Sequence, residues 1–411
     1  MSTSSVFAIF PNDTLFFRDG TPFNQDDAGL AEARSVFPPY PPVVAGALRA
    51  GMARTLGWPG WGNWQGNSSI VGRLGSGQNM CCLQFNGPFL ARVSDEQQFQ
   101  EVLFPAPTAL IAQRRRTNTG VFQNLKRLQP NKAATLISDL GDDQDVWLPA
   151  DTSNDPNEAL ARSKALDGAW ITPLFLQKFL QPDFEEEWEA SDHRATTIPS
   201  IYENVSATEL RVGLGRERNS AKAKEGQLYQ AGRQRLGPSY ALVMEVCDRD
   251  TPIEPLSPMP LGGDGRAAVV QAIASDQWQQ SFSITQQPAF VSDDGHIYYT
   301  IVLLTPAIPC SKTLFEPFSA LPGKALFIAH SRPIPIGGWM IDHGPQQTDF
   351  AMPAGSTLFC RVSLNEMSPD AFAESIDGLW AKRLGRRTEY GFGSFAHGAW
   401  RPTDPDKRGN T

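Results

Sequence analysis

Leu261-Gly-Gly-Asp-Gly-Arg266 runs directly into Ala267-Ala-Val-Val-Gln-Ala-Ile273, and the reading of that junction decides how the second half of the chain is layered. Glycines let a backbone turn sharply or approach a ligand with no Cβ in the way. Read as a helix from Arg266 to Ala274, the run would aim its first free N–H groups at whatever the loop holds, a favourable place for an anion. The expectation is a glycine loop that opens a helix, with Asp264 capping N–H groups and the Arg266 guanidinium free to fork onto phosphate.

Upstream, Arg211-Val-Gly-Leu-Gly-Arg-Glu-Arg218 repeats the combination and reads as a second glycine-arginine turn. Between residues 211 and 235 lie seven basic residues (Arg211, Arg216, Arg218, Lys222, Lys224, Arg233, Arg235) and two acids (Glu217, Glu225), a surplus of five. The whole chain runs the other way, with 36 Lys and Arg against 44 Asp and Glu and a net charge of −8. Such a balance argues against loose, sequence-blind nucleic-acid binding, so an anion site must be local. Asp183 to Asp192 holds six acids and Asp139 to Glu158 seven with no base, which suits a face turned to solvent or to a basic partner. A dinucleotide-binding reading of Gly213-Leu-Gly215 fails because Arg218 stands where the third glycine belongs.

Around these stretches, short strand-like runs alternate with occasional helices. Thirty-three prolines and 35 glycines favour strands and loops over a helical bundle. Strands are expected at Ser5–Phe10, Thr14–Phe17, Met80–Phe85, Pro88–Val93, Glu101–Leu103, Gln227–Gln230, Tyr240–Val246, Ile297–Leu304, Leu326–Ala329 and Leu358–Val362. Helices are expected at Val43–Leu56, where Val44, Leu48, Met52 and Leu56 share one face, and at Trp170–Leu180, Arg266–Ala274 and Ser368–Leu384. This order predicts an α+β fold of tandem ferredoxin-like (RRM-like) domains with glycine-rich loops and loop insertions. The boundaries drawn are 1–205, 206–400 and a disordered tail at 401–411, with the acidic stretches as insertions or linkers.

The N-terminus lacks a secretory pattern and the longest apolar run, near Ile297–Ile308, is too short to span a bilayer, so a cytoplasmic protein without membrane contact is expected. Five cysteines, two of them adjacent at Cys81 and Cys82, have neither zinc-ligand spacing nor a disulfide framework. No metal site, cofactor or nucleophile constellation is expected.

Several further motifs stand in a recognisable order. They are Leu15-Phe-Phe-Arg-Asp-Gly-Thr-Pro-Phe23, Pro41-Pro-Val-Val-Ala-Gly-Ala-Leu-Arg49, Arg211–Arg216 with Ala223–Tyr229, Leu261–Arg266, Arg332-Pro-Ile-Pro-Ile-Gly-Gly-Trp339, Met352-Pro-Ala-Gly-Ser356 and Gly391-Phe-Gly393. From about residue 6 to 400 the chain resembles the RAMP-superfamily subunit of type III-B CRISPR (Cmr) effector complexes that caps the 5′ tag of the guide RNA. The resemblance implies a non-catalytic subunit that binds crRNA, contacts the large polymerase-like subunit and touches a backbone RAMP subunit. Two departures are Asp264, where such loops often carry Glu, and the length of the acidic segments.

Carried onto this sequence, the RNA-binding candidates are Arg18, Arg211, Gly213, Gly215, Arg216, Arg218, Lys222, Gly262, Gly263, Gly265, Arg266, Trp339, Gly391 and Gly393, with none catalytic. Glycine amides and arginines would hold phosphates, Asp264 would accept from a ribose 2′-OH, and Trp339 would be a core plug or a stacking platform. A local Arg18–Asp19 contact, plain turns at the glycines and a solvated charge run remain as alternatives. So does RNA processing, for which His330 and His343 are the histidines to test, and so does a protein-only scaffold.

Overall fold

Ser5-Val-Phe-Ala-Ile-Phe10 alternates between two cores, and this strand is the axis of the molecule. Val6, Ala8 and Phe10 point into one buried cluster while Phe7 and Ile9 point into another. The structure is a computed structural model that describes residues 3–18, 31–114, 122–132, 147–150, 163–184, 201–216, 222–250, 252–282, 289–311, 316–340, 344–345 and 347–402. Its first part contains β1 (Thr3–Pro11), β2 (Ala31–Ala33), α1 (Pro41–Thr55), α2 (Ser68–Leu74), β3 (Gln84–Val93), β4 (Phe99–Pro105) and α3 (Pro173–Phe179). Next come β5 (Ser206–Arg216), β6 (Ala223–Leu236), β7 (Tyr240–Asp248), β8 (Ala267–Ile273) and α4 (Ser275–Phe282). The remainder holds β9 (His296–Leu303), β10 (Lys324–Ala329), β11 (Thr357–Ser363), α5 (Pro369–Lys382) and β12 (Phe395–Ala399).

Two mostly antiparallel sheets face each other. The first runs Ile201–Tyr202, Trp170–Ile171, β4, β3, β7, β1, β8, Met259–Pro260, and the second runs Phe290–Val291, β9, β11, β10, with β12 on the other side of β9. Helix α1 begins at Pro41 behind an extended Tyr40, the arrangement in which proline costs the helix no hydrogen bond. It lays Val44, Leu48 and Met52, all fully buried, on Phe7, Ile9, Phe85 and Leu242. Each such side chain contributes roughly 1.5–3 kcal/mol. The second sheet repeats the alternation on β9: Ile297, Tyr299, Ile301 and Leu303 pack with Phe372 and Ile376 of α5, while Tyr298 and Val302 join the core shared with the first sheet. Trp400 is fully buried in that shared core, its indole N–H donating to the Cys360 carbonyl at 3.2 Å.

This is an α+β architecture, and several local expectations need correction. Arg266–Ala274 is a strand, β8, paired along the open edge of β1 from Pro11↔Ala268 to Val6↔Ile273. Short apolar runs carry no decisive period, and a sheet edge with unpaired N–H and C=O groups outweighs the helix propensity of alanine. Arg211–Arg216 is not a turn but the end of β5. Thr14–Phe17 makes an isolated bridge at Leu15 instead of a strand. Met80–Leu83 is a turn, and β3 then runs unbroken through Gly87-Pro88. Trp170 and Ile171 pair with β4 before α3 begins at Pro173, behind a Thr172 hydroxyl that accepts from Phe175 N–H.

The boundary at 205/206 cuts the first sheet, because β7 and β8 lie beyond it in sequence yet flank β1. The chain passes from the first sheet to the second after α4. Among the described residues, α1 and α2 make the crossover between β1 and β3 in the first sheet, and α5 makes the one between β11 and β12 in the second. The acidic stretches and the tail beyond Pro402 lie largely outside the described residues.

His397 on β12 gives this fold a pH dependence. It is 5% exposed, its Nε2 has no hydrogen-bond partner, and burial pushes its pKa down to about 4 against the opposing pull of Asp377. The unfolded chain takes up the proton near pH 6.5, so stability is fully present above that value and is lost as pH falls through about 4. The loss is on the order of 3 kcal/mol at most. Thermal unfolding of wild type should therefore fall more steeply between pH 7 and pH 4.5 than that of His397→Gln; parallel curves would show that His397 does not titrate on unfolding.

Candidate nucleic-acid interface

The basic stretch folds as a two-stranded antiparallel arm. Strands β5 and β6 pair from Ser206↔Leu236 to Leu214↔Leu228, with a register shift before Arg216↔Ala223, and β2 lies parallel along β6. Gln234 pins the arm to the body. Its backbone N–H and C=O exchange 2.8 Å hydrogen bonds with Leu15, and its side-chain amide donates to Ser35 O at 3.2 Å and Thr208 Oγ1 at 3.0 Å. Farther out both faces of the arm meet solvent: Leu210 and Val212 are 62% and 61% exposed, and Arg211 between them points to the opposite side and is also exposed.

A charge network stands at the root of the arm. Arg235 binds Glu209 and, at 2.8 Å, Asp13; Arg266 binds the other oxygen of Asp13 at 2.7 Å; Arg233 binds Asp264 at 2.8 Å; Arg211 reaches Glu209 at 3.3 Å. The Asp13 carboxyl is held below its ordinary range by the Thr14 backbone N–H and by Arg235, and Glu209 by Arg235. Hydrogen bonds donated to Glu209 and then to Asp13 hold Arg235 above its own ordinary value. Such surface pairs add little stability, but they orient the four guanidinium groups and neutralise most of their charge. In the sequence, residues 216–225 add four basic and two acidic residues to this stretch.

The glycine loop at 261–266 closes on itself and on the body. Leu261 N–H donates to Arg266 O at 2.8 Å, and Gly263 N–H to Phe16 O at 2.8 Å. A Cβ on Gly262 would stand 2.6 Å from Phe16 O, and one on Gly263 3.0 Å from the Phe16 ring, so these glycines are required by Phe16. Gly265 takes a positive φ of 65° with open space before it. Asp264 caps no helix; it binds Arg233. Arg18, exposed, is bridged through its backbone to Ser35. Arg18, Arg211, Arg266 and the loop glycines thus gather around the root of the arm, with Gly213 and Gly215 inside β5.

Gly391 and Gly393 serve the protein's own backbone. A Cβ on Gly391 would lie 2.3 Å from Gly87 O and one on Gly393 1.8 Å from Leu384 O, and Phe392 between them is fully buried. Trp339 pairs through its backbone with Pro345, and its side chain lies outside the description, as do the side chain of Arg216 and the whole of Arg218 and His343. Lys222 follows that gap and opens the return of the arm. His330 is exposed, with Nδ1 2.6 Å from Ser331 O. Asp13, Glu209 and Gln234, which organise the root, were not foreseen. Asp13 and Arg235 stand 222 residues apart, and no spacing rule links them.

A family model described as "CRISPR-associated protein (Cas_Cmr3)" matches residues 7–400. The chain belongs to this family. It is a CRISPR-associated protein of the Cmr kind. Among solved structures it is similar to a chain from "Cryo-EM structure of the Type III-B Cmr-beta bound to cognate target RNA", at 14% identity over 97% of this chain and 99% of that one, with a TM-score of 0.44. A chain of the same complex with target RNA and AMPPnP, state 1, matches at 15% identity over 86% of each chain, with a TM-score of 0.39. No curated protein matches the sequence. In this Cas_Cmr3 member the described residues contain no group of three or more His, Cys, Asp or Glu able to hold a metal ion, and no helix long and apolar enough to cross a membrane.

Proposed function

We propose that this Cas_Cmr3 member is a non-catalytic crRNA-binding subunit that holds the 5′ tag of the guide RNA and docks the large polymerase-like subunit and a backbone RAMP subunit. The observation that carries the reading is the arm: a ribbon exposed on both faces, rooted in an ordered set of arginines, in a chain that is otherwise acidic. Guanidinium groups that each touch a carboxylate still have donors left for phosphate, and a ribbon with one apolar and one basic face suits a splayed single strand. We read the two sheets as two ferredoxin-like halves, each with one helical crossover, with the arm inserted before β7.

RNA processing finds less support. It needs a base at the 2′-OH, whereas the His330 ring is engaged by its neighbour's carbonyl and His397 is buried. Binding of a tag-bearing guide RNA, compared with the same RNA carrying a scrambled tag, tests the reading.

A further inference from the structure

On the α4 side of the first sheet a cleft of about 630 Å³ opens between α4 and α5. Val6, Glu245 and Asn86 lie side by side across β1, β7 and β3 as its floor. Asn86 Nδ2 donates to Glu245 Oε2 at 3.0 Å, and the Ser394 hydroxyl donates to Asn86 Oδ1 at 2.6 Å, which fixes the carboxylate in place. One wall is the stacked pair Trp278 and Phe282, with ring centroids 4.8 Å apart. The other is Trp380 of α5, 44% exposed, with Asp377 one turn before it. No Lys or Arg lines the cleft among the described residues. The Arg383 charge that reaches Glu245 is itself held on the carbonyls of Phe85 and Thr388.

We propose that this cleft is the docking surface for a basic segment of a partner protein, with a Lys or Arg head seated between the aromatic walls and facing Glu245 and Asp377. Aromatic faces attract a cation, and two carboxylates without a lining base complement one and repel phosphate, so RNA is disfavoured as the occupant. The location agrees with this choice. Phe17 and Leu261, beside the glycine loop, pack in the α1-side core, whereas Trp278 packs in the core on the other face of the same sheet. A protein partner and RNA can thus be bound on opposite faces at once. The proposal does not depend on which part of the guide RNA the arm holds.

The test uses the full chain and a hexa-arginine peptide, followed by calorimetry. Asp377→Asn combined with Trp380→Ala is expected to weaken binding about tenfold, while Glu254→Gln, which removes one exposed carboxylate beside α1, leaves it unchanged. Equal weakening by both variants, or no binding to wild type, overturns the proposal. In the assembled effector, a photo-crosslinker placed at Trp380 should capture a Lys- or Arg-rich stretch of a protein subunit; capture of RNA, or no protein product, also overturns it.

Discussion

Gly393→Ala is expected to leave little folded protein. Gly393 has φ of 78° and its N–H donates to Pro306 O at 2.8 Å, while Leu384 N–H donates to its carbonyl at 2.9 Å. A Cβ there would lie 1.8 Å from Leu384 O, a backbone atom that cannot move without breaking the turn joining α5 to β12. The left-handed conformation and the overpacking together cost on the order of 3 kcal/mol or more, a large share of a typical folding free energy. Denaturant unfolding of the purified variant is the check. The contrast is Gly265→Ala, where space is open and only the positive φ is strained; it should cost about 1–2 kcal/mol. If Gly393→Ala were as stable as wild type yet lost RNA binding, the glycine would belong to the ligand and not to the fold.

The second large effect is on binding. Replacing Arg211 and Arg218 together by alanine should weaken guide RNA binding by about 1.5–3 kcal/mol per residue, roughly ten- to a hundredfold for each. The salt slope of the logarithm of the binding constant should fall by about 0.7 for each lost phosphate contact on a single strand. Glu209→Gln should act in the opposite sense, because it releases Arg211 and Arg235 from a shared carboxylate. Circular dichroism on the variants separates lost contacts from lost structure, since Arg211 is exposed and takes no part in the hydrogen bonds that anchor Gln234. An unchanged slope in the double arginine variant would remove these two arginines from the interface.

Much of the framework was legible in the residues. The helix at α1 follows from apolar positions four apart, α5 from its Ser368 cap, and the strands β7, β9 and β11 from dense β-branched and aromatic runs. The junction at Arg266 was misread because Ala267–Ile273 is too short for its period to distinguish helix from strand, and only the open edge of β1 decides between them. The glycines were legible as places where a Cβ is forbidden, but not as to what forbids it. Phe16, Gly87 and Leu384 do so; Phe16 and Gly87 lie hundreds of residues from Gly262 and Gly391, and Leu384 meets Gly393 across the turn after α5. The charge count of 211–235 marked a basic stretch but read its start as a turn where a strand stands, and Asp13 and Asp264, which neutralise part of it, come from segments that no local pattern joins. The join of β7 and β8 to β1 across the 205/206 boundary has the same origin: sheet order is a long-range property.

The most direct test of tag capture is binding of a tag-bearing guide RNA against the same RNA with its tag scrambled, with and without the other effector subunits, each sample then run on a denaturing gel. Preference for the tagged RNA, with the RNA intact, is the result this account predicts. Equal binding of both RNAs in the assembled complex, or cleavage that disappears in His330→Ala or His343→Ala, would contradict it.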